Sequence, residues 1–158
     1  MLRSSDTEQA FELLTRRVEV PIVERVLARM PEVAAAGMIA VMRPSVLIVD
    51  DHRRFRASAR ALLESEGFEI VGEAADGAEA LRQADVLRPG LVLLDIQLPD
   101  CDGFTVAAEL RSAPSPPRII LISSRDAHAY GDRVEEARVL GFVPKNELSA
   151  ALIDRLLA

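Results

Sequence analysis

The sequence contains little cysteine, no strongly basic region and no long apolar run. Its one cysteine, Cys101, cannot form an internal disulfide or a cysteine-based zinc site, and this usage is typical of a reducing compartment. The net charge is −6, and no basic patch offsets it. Because nucleic acids and anionic membranes are bound through clustered positive charge, neither is expected to be the main partner of this chain.

The most apolar stretch, VAAAGMIAVM at residues 33–42, is followed by Arg43 and Pro44. It is far shorter than the roughly 20 residues that cross a bilayer. It also lies too far from the start of the chain, after six acidic and five basic residues, to resemble a signal peptide. We therefore expect a cytoplasmic protein that makes no membrane contact.

Nucleotide-binding and serine-hydrolase motifs are missing as well. Neither GxxxxGK[ST] nor GxGxxG occurs, although one of them is expected where a glycine-rich loop cradles phosphates. The GxSxG motif of serine hydrolases is also absent. These absences leave the function to be sought in other polar residues.

From Pro44 onward, short apolar runs alternate with stretches of helical periodicity. The strand-like runs are VLIVD (46–50), EIVGE (69–73), LVLLD (91–95), RIILIS (118–123) and GFVP (141–144). The intervening helix candidates are a segment around 55–63, then GAEALRQADVL, GFTVAAELR, HAYGDRVEEARVL and ELSAALIDRLLA. Gly67 can end the first of these helices, and Asn146 is a plausible N-cap for the last. Five such units predict an α/β fold, a doubly wound five-stranded parallel sheet covered by helices on both faces.

Residues 1–44 form a separate segment with six acidic and six basic residues. Apolar residues at helical spacing from Phe11 to Met30, interrupted by Pro21, predict one or two amphipathic helices. This segment is either a docking or dimerisation arm or a weakly structured extension, and Met42 would make a natural start for the domain that follows. We expect the working domain to span residues 45–158.

Three carboxylates follow two of the predicted strands. Asp50 ends the first strand and is followed at once by Asp51, and Asp95 ends the third. If these strands are neighbours, the carboxylates meet at one edge of the sheet, where they repel one another unless a cation is present. All-oxygen ligation of this kind suits Mg²⁺, whereas Asp51 alone could simply cap a helix.

Two further polar residues fall at the same edge. Lys145, the only lysine among nineteen lysine and arginine residues, follows the fifth strand, and Ser123 ends the fourth. A compact ammonium can sit beside a carboxylate and pair with a phosphoryl oxygen, where a planar guanidinium would point differently. A surface lysine is the ordinary alternative. His52 directly follows the acidic pair, so it is either a solvated helix-start residue or a neighbour of the metal.

In order and spacing, VLIVDDH, GEAADGAEAL, LVLLDIQLPDCDG, the serine after RIILI, and GFVPK resemble the receiver domain of two-component response regulators, a CheY-like (βα)5 fold. The resemblance covers about 45–158. It implies that Asp95 is the phosphoacceptor and that Asp50, Asp51 and the backbone carbonyl of Gln97 hold Mg²⁺ with it. It further implies that Ser123 and Lys145 contact the phosphoryl group and that Phe142 is the aromatic switch residue.

The resemblance also implies partners. A sensor histidine kinase or phosphotransfer protein would donate the phosphoryl group, and the face of the fourth helix, fifth strand and fifth helix could form a homodimer. GFVPKNEL resembles the NarL/LuxR-type subfamily, which usually carries a C-terminal helix-turn-helix domain, but none follows the fifth predicted helix within these 158 residues. On this basis we expect a signalling phosphoacceptor that is not an enzyme but assists its own phosphorylation and dephosphorylation.

Three alternatives are weighed beside it. A haloacid-dehalogenase-type hydrolase would need a second acid two residues after Asp95, where Gln97 stands. The chain could also be the regulatory fragment of a DNA-binding transcription factor. A binding module that no longer cycles phosphate is disfavoured because the acidic pair, Asp95, Ser123 and Lys145 are all present.

Overall fold

A computed structural model describes residues 43–158, in which five strands alternate with helices. The strands are β1 (Val46–Val49), β2 (Ile70–Ala74), β3 (Leu91–Asp95), β4 (Arg118–Ser123) and β5 (Gly141–Pro144). The helices are α1 (Arg53–Ser65), α2 (Gly77–Leu87), α3 (Gly103–Arg111), α4 (Arg133–Glu136) and α5 (Ala150–Leu157), with 3-10 turns at Ala127–Tyr130 and Lys145–Glu147. The predicted N-terminal helices lie outside the described residues.

The five strands form one parallel sheet in the order β2-β1-β3-β4-β5. The strand order reverses between β1 and β3, which pair directly, so Val49 lies opposite Leu94. In open α/β sheets, ligands bind beyond the carboxyl ends of the strands at such a switch point. The predicted doubly wound fold is therefore confirmed, and the ends of β1 and β3 are neighbours.

Apolar side chains pack in two layers, one on each face of the sheet. Successive strand residues alternate between the layers, so Ile48 faces one and Leu47 the other. Helices α1 and α5 cover the first layer, and α2 and α3 cover the second. Because both faces are covered, the central strands read as continuous apolar runs rather than alternating patterns.

The fourth predicted helix is not continuous. HAYGDRVEEARVL forms the 3-10 turn Ala127–Tyr130 and the single-turn helix α4, separated by Gly131 at φ 57 and ψ −135. Glycine reaches this backbone conformation without strain because it has no Cβ. The predicted helix was therefore wrong in length, since two residues of the pattern, Gly131 and Arg138, have positive φ values of 57 and 51.

The N-cap predicted at Asn146 was also wrong. Ser149 caps α5 instead, because its hydroxyl accepts a hydrogen bond from the backbone N–H of Leu152 at 3.2 Å. Asn146 lies in the 3-10 turn after β5. Smaller differences occur at β1, which ends at Val49, and at β2, which runs one residue later than predicted.

Among residues 43–158, no helix combines the length and the apolar character that crossing a bilayer requires.

Candidate functional site

Three carboxylates and one ammonium meet where β1, β3 and β5 end. Asp50 and Asp95 are buried, whereas Asp51 is exposed. Lys145 Nζ lies 2.5 Å from Asp50 Oδ2 and 3.1 Å from Asp95 Oδ2. Topology brings these residues together, because parallel neighbouring strands end at the same edge of the sheet.

Backbone N–H groups hold the remaining carboxylate oxygens. Asp50 Oδ1 accepts the N–H of His52 at 2.8 Å, and Asp95 Oδ1 accepts the N–H of Gln97 at 3.1 Å. The side chain of Arg56 donates to the carbonyl oxygen of Asp50 at 2.6 Å. The positions of both buried acids are thereby set by donors in the segments that follow β1 and β3 and on α1.

The electrostatics of the cluster are unbalanced. Burial, and then the nearby Asp50 carboxylate, raise the pKa of Asp95 above its ordinary value, and the opposing effects of Gln97 and Lys145 do not outweigh them. Burial lowers the pKa of Lys145, but Asp50 and Asp95 outweigh that effect and the net shift is upward. One ammonium therefore contacts two of the three clustered carboxylates, an excess of negative charge that a divalent cation would relieve.

Asp50, Asp51, His52 and Asp95 each offer a ligand atom, and these atoms all lie within 4.8 Å of one another. Carboxylate oxygens of this number and spacing are the donors that Mg²⁺ prefers. His52 Nδ1 lies 3.2 Å from Asp50 Oδ1 and 3.0 Å from Asp51 Oδ1, so His52 is a close neighbour of the acidic pair. The residues present fit a hard divalent cation.

The loop after β3 is tied down on both sides. Gln97 forms an isolated bridge with Asp102, and the N–H of Gly103 donates to the carbonyl oxygen of Ile96 at 2.7 Å. The Asp100 carboxylate accepts the first N–H groups of α2, those of Gly77 and Ala78, and these bonds lower its pKa. Gln97 is therefore held beside Asp95, and the ligand role of its carbonyl stays a prediction.

Ser123, at the end of β4, and Phe142, within β5, belong to a second group of contacts. Ser123 is buried, and its Oγ lies 2.6 Å from the hydroxyl of Tyr130 and accepts the N–H of Arg125 at 3.1 Å. Phe142 is half-buried, and its ring centroid lies 6.2 Å from that of Tyr130. Tyr130 thus stands between the two residues that were predicted to form the switch.

Sequence reasoning missed Tyr130 and Arg56. Tyr130 is the only tyrosine of the chain and lies seven residues after Ser123. Its apparent position within a helical pattern gave no sign of a contact with Ser123. Arg56 is one of several arginines in α1, and its bond to a backbone carbonyl has no sequence signature.

Comparisons with known proteins agree with this geometry. Residues 46–157 match the family described as the response regulator receiver domain. A transcriptional regulator of Pseudomonas aeruginosa is 41% identical over 108 residues, which are 68% of this chain and 52% of that protein. The chain spans about half the length of the curated relatives it matches.

Two solved structures are also similar. The signal receiver domain of the response regulator NarL from Mycobacterium tuberculosis is 36% identical, with a TM-score of 0.64 over 73% of this chain and 98% of that one. CheY from Borrelia burgdorferi, solved with CheX, beryllofluoride and Mg²⁺, is 29% identical, with a TM-score of 0.62 over 72% of this chain and 85% of that one.

Proposed function

Because the chain belongs to the response regulator receiver domain family of two-component systems, we propose that Asp95 accepts a phosphoryl group from a sensor histidine kinase or phosphotransfer protein. The observation that carries this proposal is the contact of Lys145 Nζ with Asp95 Oδ2 at 3.1 Å, at a buried acid beside the Asp50–Asp51 pair. Elsewhere in the described residues, no other cluster of three or more acids, histidines or cysteines has this ligand spacing.

Each residue of the site has a distinct proposed role. An Asp95 oxygen attacks the phosphorus, the bond from phosphorus to the donor breaks, and an acyl phosphate forms on Asp95. Lys145 neutralises charge that spreads over the phosphoryl oxygens in a loose transition state. His52, Gln97 and Arg56 hold the two buried acids in place through the hydrogen bonds described above. The same groups would assist phosphorylation and dephosphorylation of the chain itself.

Mg²⁺ is the proposed cofactor, held by Asp50, Asp51, Asp95 and the backbone carbonyl of Gln97. When bound, the ion supplies positive charge to the phosphoryl oxygens. The three carboxylates fit it because only one ammonium now offsets them. The similar Borrelia structure, which contains Mg²⁺ and beryllofluoride, supports this assignment.

We propose that phosphorylation of Asp95 changes the conformation of the residues around Ser123 and Phe142. Ser123 would donate a hydrogen bond to a phosphoryl oxygen, and Phe142 would move into the space that Ser123 leaves. This movement would change the face of α4, β5 and α5, which a partner or a second copy would contact. We propose residues 45–158 as the working domain and the cytoplasm as its compartment.

A second candidate function is supported by the relatives. Those matched over about half their length are described as transcription regulators. This chain would then be the regulatory part of a DNA-binding protein, and DNA contact would fall to residues outside it. The mass of the protein recovered from its source cells distinguishes the two cases: a mass near 17.2 kDa supports a stand-alone receiver, and roughly twice that supports the regulator.

Incubation with acetyl phosphate and Mg²⁺, followed by intact mass measurement, tests the proposed function. We expect a gain of one phosphoryl group that is lost in EDTA and in Asp51→Asn. A gain that persists unchanged in EDTA would contradict the proposed metal site. No gain in any condition would contradict the phosphoacceptor role.

A further inference from the structure

The hydroxyl of Tyr130 lies 2.6 Å from Ser123 Oγ, close enough for a strong O–H···O hydrogen bond. Ser123 is fully buried, and Tyr130 is half-buried. Among the described residues, Ser123 Oγ has one other partner, the N–H of Arg125 at 3.1 Å. Both partners lie in the segment that follows β4, so the serine hydroxyl is engaged by that segment rather than by Asp95.

A serine hydroxyl has one proton and two lone pairs. Arg125 occupies one lone pair. If Ser123 donates to Tyr130, its proton is not free for a phosphoryl oxygen; if Tyr130 donates, movement of Oγ toward Asp95 lengthens a 2.6 Å bond. In either case the contact with Tyr130 opposes the contact that phosphorylation requires.

The ring of Tyr130 connects this hydrogen bond to two other aromatic residues. Its centroid lies 5.8 Å from that of Phe104 in an edge-to-face arrangement and 6.2 Å from that of Phe142. Such pairs have preferred geometries, so displacement of one ring changes the packing of its neighbours. A shift at Ser123 therefore reaches Phe142 through the Tyr130 ring.

Gly131 places Tyr130 in this position. Its φ of 57 ends the turn Ala127–Tyr130 immediately after the tyrosine, and a Cβ at Gly131 would have no atom within 4 Å. Glycine at residue 131 is thus favoured by its positive φ, and not by crowding from neighbouring side chains. It leaves Tyr130 at the end of a short turn, in contact with β4.

We propose that the Tyr130 hydroxyl is a latch, which holds Ser123 in its unphosphorylated position and is released when a phosphoryl group on Asp95 draws Ser123 away. Tyr130 is then a positioning residue that links Ser123 to Phe142. This inference rests on the proposed function of Asp95.

The chain offers a direct probe, because Tyr130 is its only tyrosine and it has no tryptophan. Tyrosine fluorescence, and the tyrosine band of the near-ultraviolet circular dichroism spectrum, which lies at longer wavelength than the bands of the five phenylalanines, therefore report on this one ring. We expect both signals to change when beryllofluoride, a phosphoryl mimic, is added with Mg²⁺. Asp95→Asn, which keeps Tyr130 but removes the acceptor, is the matched control and should show no change beyond that of Mg²⁺ alone.

Tyr130→Phe keeps the ring packing and removes the hydroxyl. Because one intramolecular hydrogen bond no longer opposes the active position, beryllofluoride should bind about two- to tenfold more tightly to this variant. Occupancy is measured independently from the fluorine-19 resonance of bound beryllofluoride. Ser112→Ala removes an exposed hydroxyl that bonds only within its own helix end, and it should bind as the wild type does.

The outcomes separate the two proposals. Bound beryllofluoride with an unchanged tyrosine signal, or with equal or weaker binding to Tyr130→Phe, would overturn the latch and leave the role of Asp95 standing. No bound beryllofluoride and no phosphorylation would overturn both. A changed tyrosine signal together with tighter binding supports the latch.

Discussion

Among the single residues of the site, Lys145 is held so closely that we expect little tolerance of substitution. Its side chain is 14% exposed, contacts Asp50 and Asp95, and lies 4.9 Å from the centre of the Phe55 ring. Being the only lysine beside many arginines is consistent with this, because a guanidinium is longer, planar and directional. The predicted contact of Lys145 with Asp95 could be reached from sequence because both residues follow buried parallel strands.

The first prediction concerns Lys145→Arg, which conserves charge. We expect beryllofluoride to bind roughly ten- to a hundredfold more weakly, since a displaced guanidinium loses a charged hydrogen bond of about 1.5–3 kcal/mol. Phosphorylation should persist at a lower rate because Mg²⁺ still supplies charge. Titration followed by fluorine-19 resonance measures the affinity. Arg82→Lys, an exposed charge-conserving change, is the control, and equal affinity in all three proteins would place Lys145 outside the site.

Asp95 itself should destabilise the metal-free fold. Its pKa is raised by burial and by Asp50, so the folded state binds the proton more tightly than the unfolded state does. The contribution of Asp95 to the stability of the wild type therefore falls as pH rises from the ordinary pKa of an aspartate through the raised value. Asp95 destabilises the folded state most at pH values above its raised pKa.

Asp95→Asn accordingly should raise the free energy of unfolding at neutral pH in EDTA, by roughly 1 kcal/mol. The gain should shrink as pH falls through the window and vanish below the ordinary aspartate pKa, where Asp95 is protonated in both states. Urea denaturation at several pH values measures the difference. A gain that is the same at every pH, or a loss at neutral pH, would contradict the assigned electrostatics.

Among the helices and strands, the start of α3 at Gly103 lies very close to the backbone at the end of β3. A Cβ at Gly103 would meet the carbonyl oxygen of Asp95 and lie 2.8 Å from the Cα of Ile96. Neither atom belongs to a flexible side chain, so the end of β3 would have to move. Glycine at this position lets α3 start directly against the strand that carries Asp95.

Gly103→Ala should therefore lower the free energy of unfolding by roughly 1–3 kcal/mol and slow phosphorylation by acetyl phosphate. Ala108→Gly is the matched control on the exposed side of the same helix. It should cost about 1 kcal/mol through helix propensity alone and leave the initial rate of phosphorylation unchanged. If Gly103→Ala is phosphorylated at the wild-type rate, the close approach does not position Asp95.

Element boundaries show where sequence reasoning succeeds and where it fails. The runs at β3, β4 and β5 were predicted to the residue because buried strands have continuous apolar sequence. Gly131 was not recognised as a break, since a glycine inside a helical pattern is often tolerated. Asn146 and Ser149 are both good capping residues, and the sequence does not show that Asn146 belongs to a 3-10 turn, which leaves Ser149 as the cap.

At the scale of the whole molecule, the described residues have their own core. Both apolar layers are built from residues between 46 and 157. Arg43 belongs with them, since its guanidinium donates to the carbonyl oxygen of Glu66 at 2.5 Å and to Asp154 at 3.1 Å and lies over the Phe68 ring. A shortened chain should therefore begin no later than Arg43.

A chain that starts at Met42 should keep its melting temperature within about 2 °C and should still be phosphorylated. Differential scanning calorimetry and intact mass measure the two properties. A chain that starts at Pro44 loses Arg43 and should melt several degrees lower, which makes it the matched comparison. If the melting temperature of the chain that starts at Met42 falls more than about 5 °C below that of the full chain, residues 1–41 belong to the working domain.

The site as a whole was predictable to the extent that topology alone brings residues together. Asp50, Asp51, Asp95 and Lys145 converge because parallel strands place their ends at one edge. Tyr130 could not be predicted, because its contact with Ser123 depends on the conformation of a loop. Side-chain contacts made by loops follow from tertiary structure rather than from strand or helix periodicity.

The proposed mechanism depends on Asp95 as the residue that carries the phosphoryl group. Borohydride reduces an aspartyl phosphate to homoserine, so peptide mass spectrometry after treatment with acetyl phosphate, Mg²⁺ and borohydride locates the modified acid. We expect homoserine at position 95, in a peptide that includes LVLLDIQLPD. Homoserine at Asp50, Asp51 or another acid, with Asp95 unmodified, would contradict it.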